Sequence, residues 1–473
     1  MKSIFKITIG LMACAFAFVA CDDDDDSSNS TPITINAVYL QDADASVPNR
    51  QVDFVRLGQL VRIEGTGIKG INRIYINGYS CYFNPVLLTD NNVWVTVDSD
   101  VPISDADEDV RNTIVLSKPS GVSCTFSIEV RSASPTITSI NNTLPKEGET
   151  VKCTGTGLLE VSSVILPNGT EITENIESDE DGEWFTFIMP TITDSIAGSL
   201  FITCANGSAY SPQYFNYYAG IILDFDGTGV QSAWSWSETG SMLDYSEADG
   251  GTDTYGDDIV DDPAGTGRGY CANMTPDRLL PMGTKERLTE VWTYGTTYEN
   301  NVKVGITEPT EDWTRFVDGE FITESTSLDD LAIQFDLYID GEMTTGYLLY
   351  MLTNNYSSNT NRPYSGIYKP VIDNDGEPVT TDGWETITLP LNEFDDFTAD
   401  DGTFTFADVI DARYSASYAN TGMILSNNDI TIDDETYTMT LNIDGFKIYV
   451  DNFRIVNCYT PEYDEFGDED TEE

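Results

Sequence analysis

The sequence contains no histidine, and only 23 of its 473 residues are lysine or arginine, against 80 aspartates and glutamates. Without histidine there is no Ser-His-Asp or Cys-His nucleophilic site, no imidazole general base and no histidine-ligated zinc or iron. The shortage of basic residues leaves a formal net charge of −57. Such a charge repels phosphate backbones and anionic bilayers, which excludes nucleic acid as a partner. No two cysteines have CxxC spacing, so the familiar zinc and redox motifs are absent. No stretch approaches the ~20 apolar residues of a membrane-spanning helix, and none shows a convincing apolar stripe at helical period. Hydrolysis by paired carboxylates survives as an enzymatic option, since it needs only Asp and Glu.

What is present starts at the N-terminus. Lys2 and Lys6 precede an apolar run, Ile7 to Ala20, of roughly 14 residues, the length of a secretory signal core. It ends in Phe18-Val19-Ala20-Cys21, and the run from Asp22 to Ser30 is acidic and polar, suited to a solvated tether. Leu11-Met12-Ala13-Cys14 has a similar pattern but would leave a core of only about seven residues, short for a signal. The first motif is similar to the lipobox of bacterial lipoproteins, and the acidic run resembles the surface-export signal of Bacteroidetes lipoproteins. These resemblances imply a signal peptide over 1–20, a lipidated Cys21, a tether over 21–31, and a surface location at the outer membrane held by the lipid anchor alone.

The front half repeats itself. Leu57-Gly58-Gln59-Leu60-Val61-Arg62-Ile63-Glu64-Gly65-Thr66-Gly67-Ile68 returns 90 residues later as Glu147-Gly148-Glu149-Thr150-Val151-Lys152-Cys153-Thr154-Gly155-Thr156-Gly157-Leu158. That spacing is about one immunoglobulin-sized unit. Ile71, Ile74 and Ile76 then run in register with Val161, Val164 and Leu166. The glycines suit a turn that needs φ > 0 or a close backbone approach. The pattern resembles the TIG (IPT) subclass of immunoglobulin-like domains and implies two of them, over 32–132 and 133–218, serving as spacers. Cys153 and Cys204 fall on strands that many such domains bridge between sheets, which makes them a candidate disulfide; two buried thiols is the competing reading. Trp94 and Trp184 alternate with apolar neighbours and read as core.

From Gly220 the character changes. Leu331 to Ile339 alternates at period two, and Thr345 to Leu352 reads as a strand buried on both faces. Loops rich in Gly, Asp, Asn and Ser separate such strands. The region 219–458 fits one large jelly-roll-like sandwich, followed by an acidic tail, 459–473, that reads as disordered. The expected fold class is therefore all-β: two Ig-like sandwiches and a larger jelly roll. Ile222-Leu223-Asp224-Phe225-Asp226-Gly227, Asp382-Gly383-Trp384-Glu385-Thr386 and Tyr449-Val450-Asp451-Asn452-Phe453-Arg454-Ile455 look like the first, late and final strands of jelly-roll carbohydrate-binding modules. The whole order resembles the surface glycan-binding proteins of Bacteroidetes polysaccharide-utilisation loci, nearest those whose last domain binds xyloglucan. The resemblance implies a non-catalytic protein that captures a neutral polysaccharide for uptake, beside an outer-membrane glycan transporter complex. A carboxylate-pair glycosidase and a surface adhesin for a protein partner are the alternatives.

A neutral sugar offers flat C–H faces and many hydroxyls, so its site needs exposed rings with polar side chains beside them. Five of the seven tryptophans lie beyond residue 219. Trp292, Tyr294, Trp313, Tyr364 and Tyr368 stand in polar, loop-like sequence and are the candidate platform. Trp384 follows a strand pattern and reads as core, and Trp234 and Trp236 share one strand face. Val371 stands where the xyloglucan-binding relatives lead one to expect a second bulky aromatic, which counts against xyloglucan itself. Asp224, Asp226 and Asp451, from the first and last strands, are candidate ligands of a structural Ca²⁺, an ion suited to carboxylate oxygens; no other cofactor is required.

Overall fold

The computed structural model describes residues 30–41, 49–192, 196–228, 231–232, 247–248, 252–253, 258–275, 287–293, 297–299, 302–305, 312–356, 361–397, 403–432, 435–439 and 445–465. The signal and lipobox residues, Trp234, Trp236 and Tyr294 lie outside them. The chain divides into two compact units between Ala133 and Ser134. Among the described residues no helix is long and apolar enough to cross a membrane.

The first unit is an antiparallel sandwich. Thr34–Leu40, Leu60–Thr66 and Asn92–Thr96 form one sheet, and Tyr79–Cys81, Arg73–Ile76, Thr113–Ser117 and Ser123–Ser127 form another. Period-two alternation buries Val61, Ile63, Val93 and Val95 from the first sheet and Ile74, Ile76, Ile114 and Leu116 from the second.

The sequence repeat is a structural repeat. Thr34 pairs with Thr66 and Ile35 with Gly65, and the register then shifts before Ala37. In the second Ig-like domain Thr136 pairs with Thr156 and Ile137 with Gly155, and the shift recurs before Ser139. A Cβ on Gly65 would sit 1.9 Å from the Thr34 carbonyl oxygen, and one on Gly155 would sit 1.8 Å from that of Thr136. The bulged strand therefore approaches too closely for any side chain. Gly67 and Gly157 follow in the left-handed region, at φ 65° and 68°. The flanking threonines bond through their hydroxyls in both copies, at 2.7 and 2.8 Å.

Trp94 and Trp184 lie on corresponding strands and the same face, two register positions apart, opposite Arg62 and Thr154. The expectation that they are core is corrected: both are half-buried. Their apolar neighbours, Val93 and Val95 in one domain and Phe185 and Phe187 in the other, take the inward positions, so alternation turns the indoles out. There Trp94 Nε1 donates to Gln41 at 3.1 Å, and the Lys152 ammonium lies 4.9 Å from the Trp184 ring.

The second unit opens with the other Ig-like sandwich. Thr136–Ile140, Thr150–Thr156, Trp184–Ile188 and Glu177–Ser178 form one sheet; Glu171–Ile172, Ser163–Ile165, Phe201–Cys204 and Gly207–Tyr210 form the other. Cys153 and Cys204 are buried on the two sheets, but both are thiols and the candidate disulfide is not made. Cys204 Sγ donates to the Gly157 carbonyl at 3.6 Å, and burial pushes the Cys153 thiol far above its usual range.

Beyond Gly220 two larger sheets stack. One has the order Ile259–Asp261, Tyr270–Asn273, Phe446–Asn457, Leu331–Gly341, Glu385–Pro390, with Ile221–Leu223 also paired to Phe446–Asn457. The other runs Gln231–Ser232, Arg287–Thr293, Gly422–Ser426, Tyr347–Met351, Ser365–Tyr368. Ile333, Phe335 and Leu337 of the first join Leu348, Tyr350, Met423 and Leu425 of the second in one core. That core continues through Tyr214, Phe215 and Tyr217 into the second Ig-like domain. A helix absent from the sequence reading, Phe406–Ser415, is closed by a capping box between Thr405 and Asp408. Its buried positions are Phe406, Val409 and Arg413, and the arginine hides the stripe from a hydrophobicity pattern.

The strand Phe446–Asn457 changes face midway. Ile448 and Val450 point into the core, and so do Phe453 and Ile455; the parity switches because a bulge interrupts its pairing with Gln334 and Asp336. Asn452 sits in the bulge at φ 51°. The extra residue brings Asp451 and Arg454 to the outer face together, where Asp336 lies between two guanidiniums, Arg268 at 2.6 Å and Arg454 at 2.8 Å. Arg454 reaches on to Thr143 at 2.7 Å and Arg268 to Asn142 at 2.9 Å, so this buried cluster fastens the second Ig-like domain to the sandwich. The end of the chain adds a strap. Residues 459–465 do not follow the expected disorder: the Tyr459 carbonyl accepts from Gln213 N–H at 3.0 Å, and the Tyr463 ring stands 5.2 Å from Phe201 and 6.3 Å from Tyr210. One ring on an aromatic surface and one backbone hydrogen bond outweigh the acidic residues around them.

Burial, and after it the Asp336 charge, pushes the Asp451 carboxyl well above the usual range. For Asp336 burial acts upward too, but Arg454 and Arg268 outweigh it and hold its carboxyl low. The signs then oppose. Asp336 contributes stability above the unfolded carboxylate pKa of about 4, lost on acidification; Asp451 makes the folded state the better proton binder, so stability falls as pH rises above about 4. Asp451→Asn removes only the second slope. Its Tm relative to the parent should rise as the pH is raised from about 4; a difference that does not change with pH would refute the assignment.

Candidate functional site

Four of the five platform candidates can be placed, Tyr294 lying outside the described residues, and they separate. Trp292 lies in Arg287–Thr293 and pairs with Gly422, whose missing Cβ leaves room for the indole: a Cβ there would lie 2.7 Å from the ring. The indole N–H donates to Glu290 at 2.7 Å, and Tyr347, Leu349, Ile424 and Met439 close over the ring. At 1% exposure Trp292 cannot stack on a sugar as placed. Trp313 is equally buried. It opens the 3₁₀ turn Trp313–Phe316, capped by the Asp312 side chain, and lies edge-on to Phe316 at 5.6 Å beneath the Arg413 guanidinium at 4.1 Å. The expectation of exposed rings at Trp292 and Trp313 is corrected by these contacts. Tyr368 is half-buried in the edge strand Ser365–Tyr368, edge-on to Phe335 at 6.2 Å, and burial raises its phenol. Trp384 is buried beside Tyr338 and Tyr449 and donates to Asp262 at 2.8 Å.

Tyr364 is different. Its backbone takes φ 54°, with its carbonyl accepting from Leu352 N–H at 3.0 Å, and its ring leans on Phe397 at 5.0 Å. Phe397 in turn meets Phe404 at 5.4 Å. These three rings line a cleft of about 430 Å³ whose other wall is the helix Phe406–Ser415. Asn355, Asp396 and Asp411 bring polar groups to it, and both acids are exposed. The same helix and the turn after it carry Tyr414 and Tyr418, 63% and 39% exposed. Sequence reading passed these two over, although Arg413-Tyr414-Ser415-Ala416-Ser417-Tyr418 is as polar a setting as those it chose. An open cleft with aromatic walls and carboxylate acceptors can hold a sugar's C–H faces and accept hydrogen bonds from its hydroxyls.

Residues 215–457 match the model of the family described as the surface glycan-binding protein B xyloglucan binding domain. The chain belongs to that family. An IPT/TIG domain-containing protein of Bacteroides ovatus is 28% identical over 174 residues, 35% of this chain and 34% of its own length; the chain thus spans about a third of that relative. A surface glycan-binding protein from Prevotella bryantii has 17% identity and a TM-score of 0.59, over 91% of this chain and all of that one. A surface glycan-binding protein from a complex xyloglucan utilisation locus of Bacteroides uniformis gives 18% and 0.43, over 89% and 100%. The Prevotella likeness shows the fold, all-β with Ig-like and larger β-sandwiches.

The family's sandwich does not gather the candidate calcium ligands here. Asp224 Oδ1 accepts from the N–H groups of Asp226 and Thr228, at 3.0 and 2.7 Å, and Asp226 Oδ1 from that of Tyr270 at 2.9 Å. Asp451 takes the Asn452 N–H at 2.7 Å. Each carboxylate fastens a local turn or bulge, and among the described residues no three acidic, cysteine or histidine side chains are arranged to hold a metal ion. The calcium expectation is corrected.

Burial sorts these rings into two experimental classes. Trp292→Ala and Trp313→Ala should each cost about 3–5 kcal/mol in denaturant titration, while Tyr414→Ala should stay within about 0.5 kcal/mol of the parent. A Trp292→Ala protein of parental stability would show that this ring is not packed as described.

Proposed function

We propose that the chain is a non-catalytic, cell-surface polysaccharide-binding protein that holds a neutral glycan at the Tyr364 cleft of its C-terminal module. The match of residues 215–457 to a glycan-binding family carries the reading. The cleft supports it with two half-buried rings, Tyr364 and Phe404, packed on the buried Phe397, and with polar groups open to solvent. Xyloglucan is the first ligand to test, since the family is described by it; mixed-linkage glucan, an unbranched neutral glucan, is the second. The Ig-like pair serves as a spacer from a lipid anchor at Cys21, and the captured polymer passes to an outer-membrane transporter complex. A glycosidase would need two carboxylates converging about 5–10 Å apart around the bond to be cut. Asp396 and Asp411 in an open, exposed cleft are better suited to accepting hydrogen bonds from sugar hydroxyls.

Full-length protein should be retarded in native gels containing xyloglucan or mixed-linkage glucan, and should release no reducing ends from either. Tyr364→Ala should weaken retention about tenfold, equivalent to roughly 1.4 kcal/mol, and Cys21→Ala should free the protein from membranes. Steady release of reducing ends by the pure protein would replace the binding reading with the glycosidase one. Retention untouched by Tyr364→Ala would move the site elsewhere.

A further inference from the structure

The first unit carries a concave surface of its own. Tyr82 is 78% exposed, the most exposed aromatic ring among the described residues. Beside it opens a cleft of about 760 Å³, walled by Asn72, Arg73, Ser80, Phe83 and Pro85. The backbone on either side of the ring is held. Cys81 is buried and pairs with Ile74, while Phe83 bridges to Val95. The Asn84 side chain then accepts from Val86 N–H at 3.0 Å and fixes the turn Pro85–Leu87. A bulky ring is thus presented to water on a pre-set backbone, which lowers the ordering cost of binding.

The wall chemistry narrows the ligand. Asn72, Arg73 and Ser80 are exposed and supply amide, guanidinium and hydroxyl groups beside the ring. One N–H of Arg73 donates to the Tyr75 hydroxyl at 2.9 Å, and a guanidinium has five. An aromatic face flanked by mixed donors and acceptors fits the C–H face and hydroxyls of a sugar. The geometry points to a second glycan-contact site on the first Ig-like domain, taking the same neutral polysaccharide as the C-terminal module. This assignment rests on the glycan-binding reading above. Its consequence is avidity: a polymer held by one site is present at high effective concentration for the other, so a module otherwise described as a spacer joins in capture.

Calorimetry of the full-length protein with xyloglucan heptasaccharide and with a mixed-linkage heptasaccharide tests it, alongside gel retention on the two polymers. The parent should bind two oligosaccharides per chain, and Tyr82→Ala and Tyr364→Ala one each. Tyr82→Ala should keep the parental Tm, because the ring is exposed, yet lose about tenfold in retention on the polymer. A parental stoichiometry of one that Tyr82→Ala leaves unchanged, with polymer retention intact, overturns this site and leaves the C-terminal one standing. If the parent binds neither glycan in either form, the glycan-binding reading falls and this site falls with it. If Val86→Asp abolishes association with an outer-membrane transporter complex while the stoichiometry stays unchanged at one, the surface docks a protein and the assignment is wrong.

Discussion

A single inserted residue sets how the C-terminal module meets the domain before it. Without the bulge at Asn452, Asp451 and Arg454 would lie on opposite faces of the last strand, since residues three apart in a regular strand face opposite ways. With it, Arg454 faces outward and closes on Asp336, Gln334 and Thr143, at 2.8, 3.2 and 2.7 Å. A buried ion cluster of this kind is a poor source of net stability, because desolvation consumes most of the Coulomb gain. What it imposes is a unique arrangement. Any slip of the Ig-like domain over the sheet would cost the two buried guanidiniums their bonds to Thr143 and Asn142. The apolar core running through Phe215 and Tyr217 supplies the adhesion; the charges fix the angle.

Much of this architecture was legible in the sequence, because repetition and alternation are properties of residue order. The two glycine motifs announced both Ig-like domains, and the structure shows why glycine is required: a Cβ at Gly65 or Gly155 would overlap the neighbouring strand's carbonyl. The helix Phe406–Ser415 was not legible. Its third buried position is Arg413, which bonds the Leu352 carbonyl and stacks on Trp313, so a charged residue stood where the pattern needed an apolar one. The tail was misjudged for the mirror-image reason. Composition averaged over acidic residues gives no weight to a single ring, and it is Tyr463 that docks, against Phe201 and Tyr210.

The site shows the limit of judging exposure from neighbouring letters. Trp313 follows three polar residues, yet the Asp312 cap turns it inward at once, and a ring can enter a core within one residue of solvent. Trp292 has a different history. It stands on the outward face of its sheet, where period-two reasoning would leave it in water, but Ile430 and Met439 belong to the same cluster and cover it. Tyr364 escapes both fates because its left-handed backbone ends the local strand register and sets the ring against Phe397 at the lip of a cleft. Local conformation, more than local composition, decides which aromatic meets solvent.

Charge narrows what such rings can hold. At the Tyr364 cleft the polar wall includes Asp396 and Asp411, on a chain carrying a net charge of −57. A polymer rich in uronates or sulfates would bring its own charge into that field, within the ~8 Å over which repulsion persists at physiological ionic strength. A neutral glycan meets no such barrier, and at the proposed site its hydroxyls would donate to those same carboxylates. Stacking on a ring face is largely indifferent to the surrounding potential, while charge-assisted hydrogen bonds to an ionised carboxylate are the stronger kind. The excess of acid is therefore compatible with binding of one class of polysaccharide and hostile to another. Selectivity against acidic polymers is what composition alone would give, whereas at the proposed cleft selectivity among neutral ones would have to come from the shape set by Tyr364, Phe397 and the helix beside them.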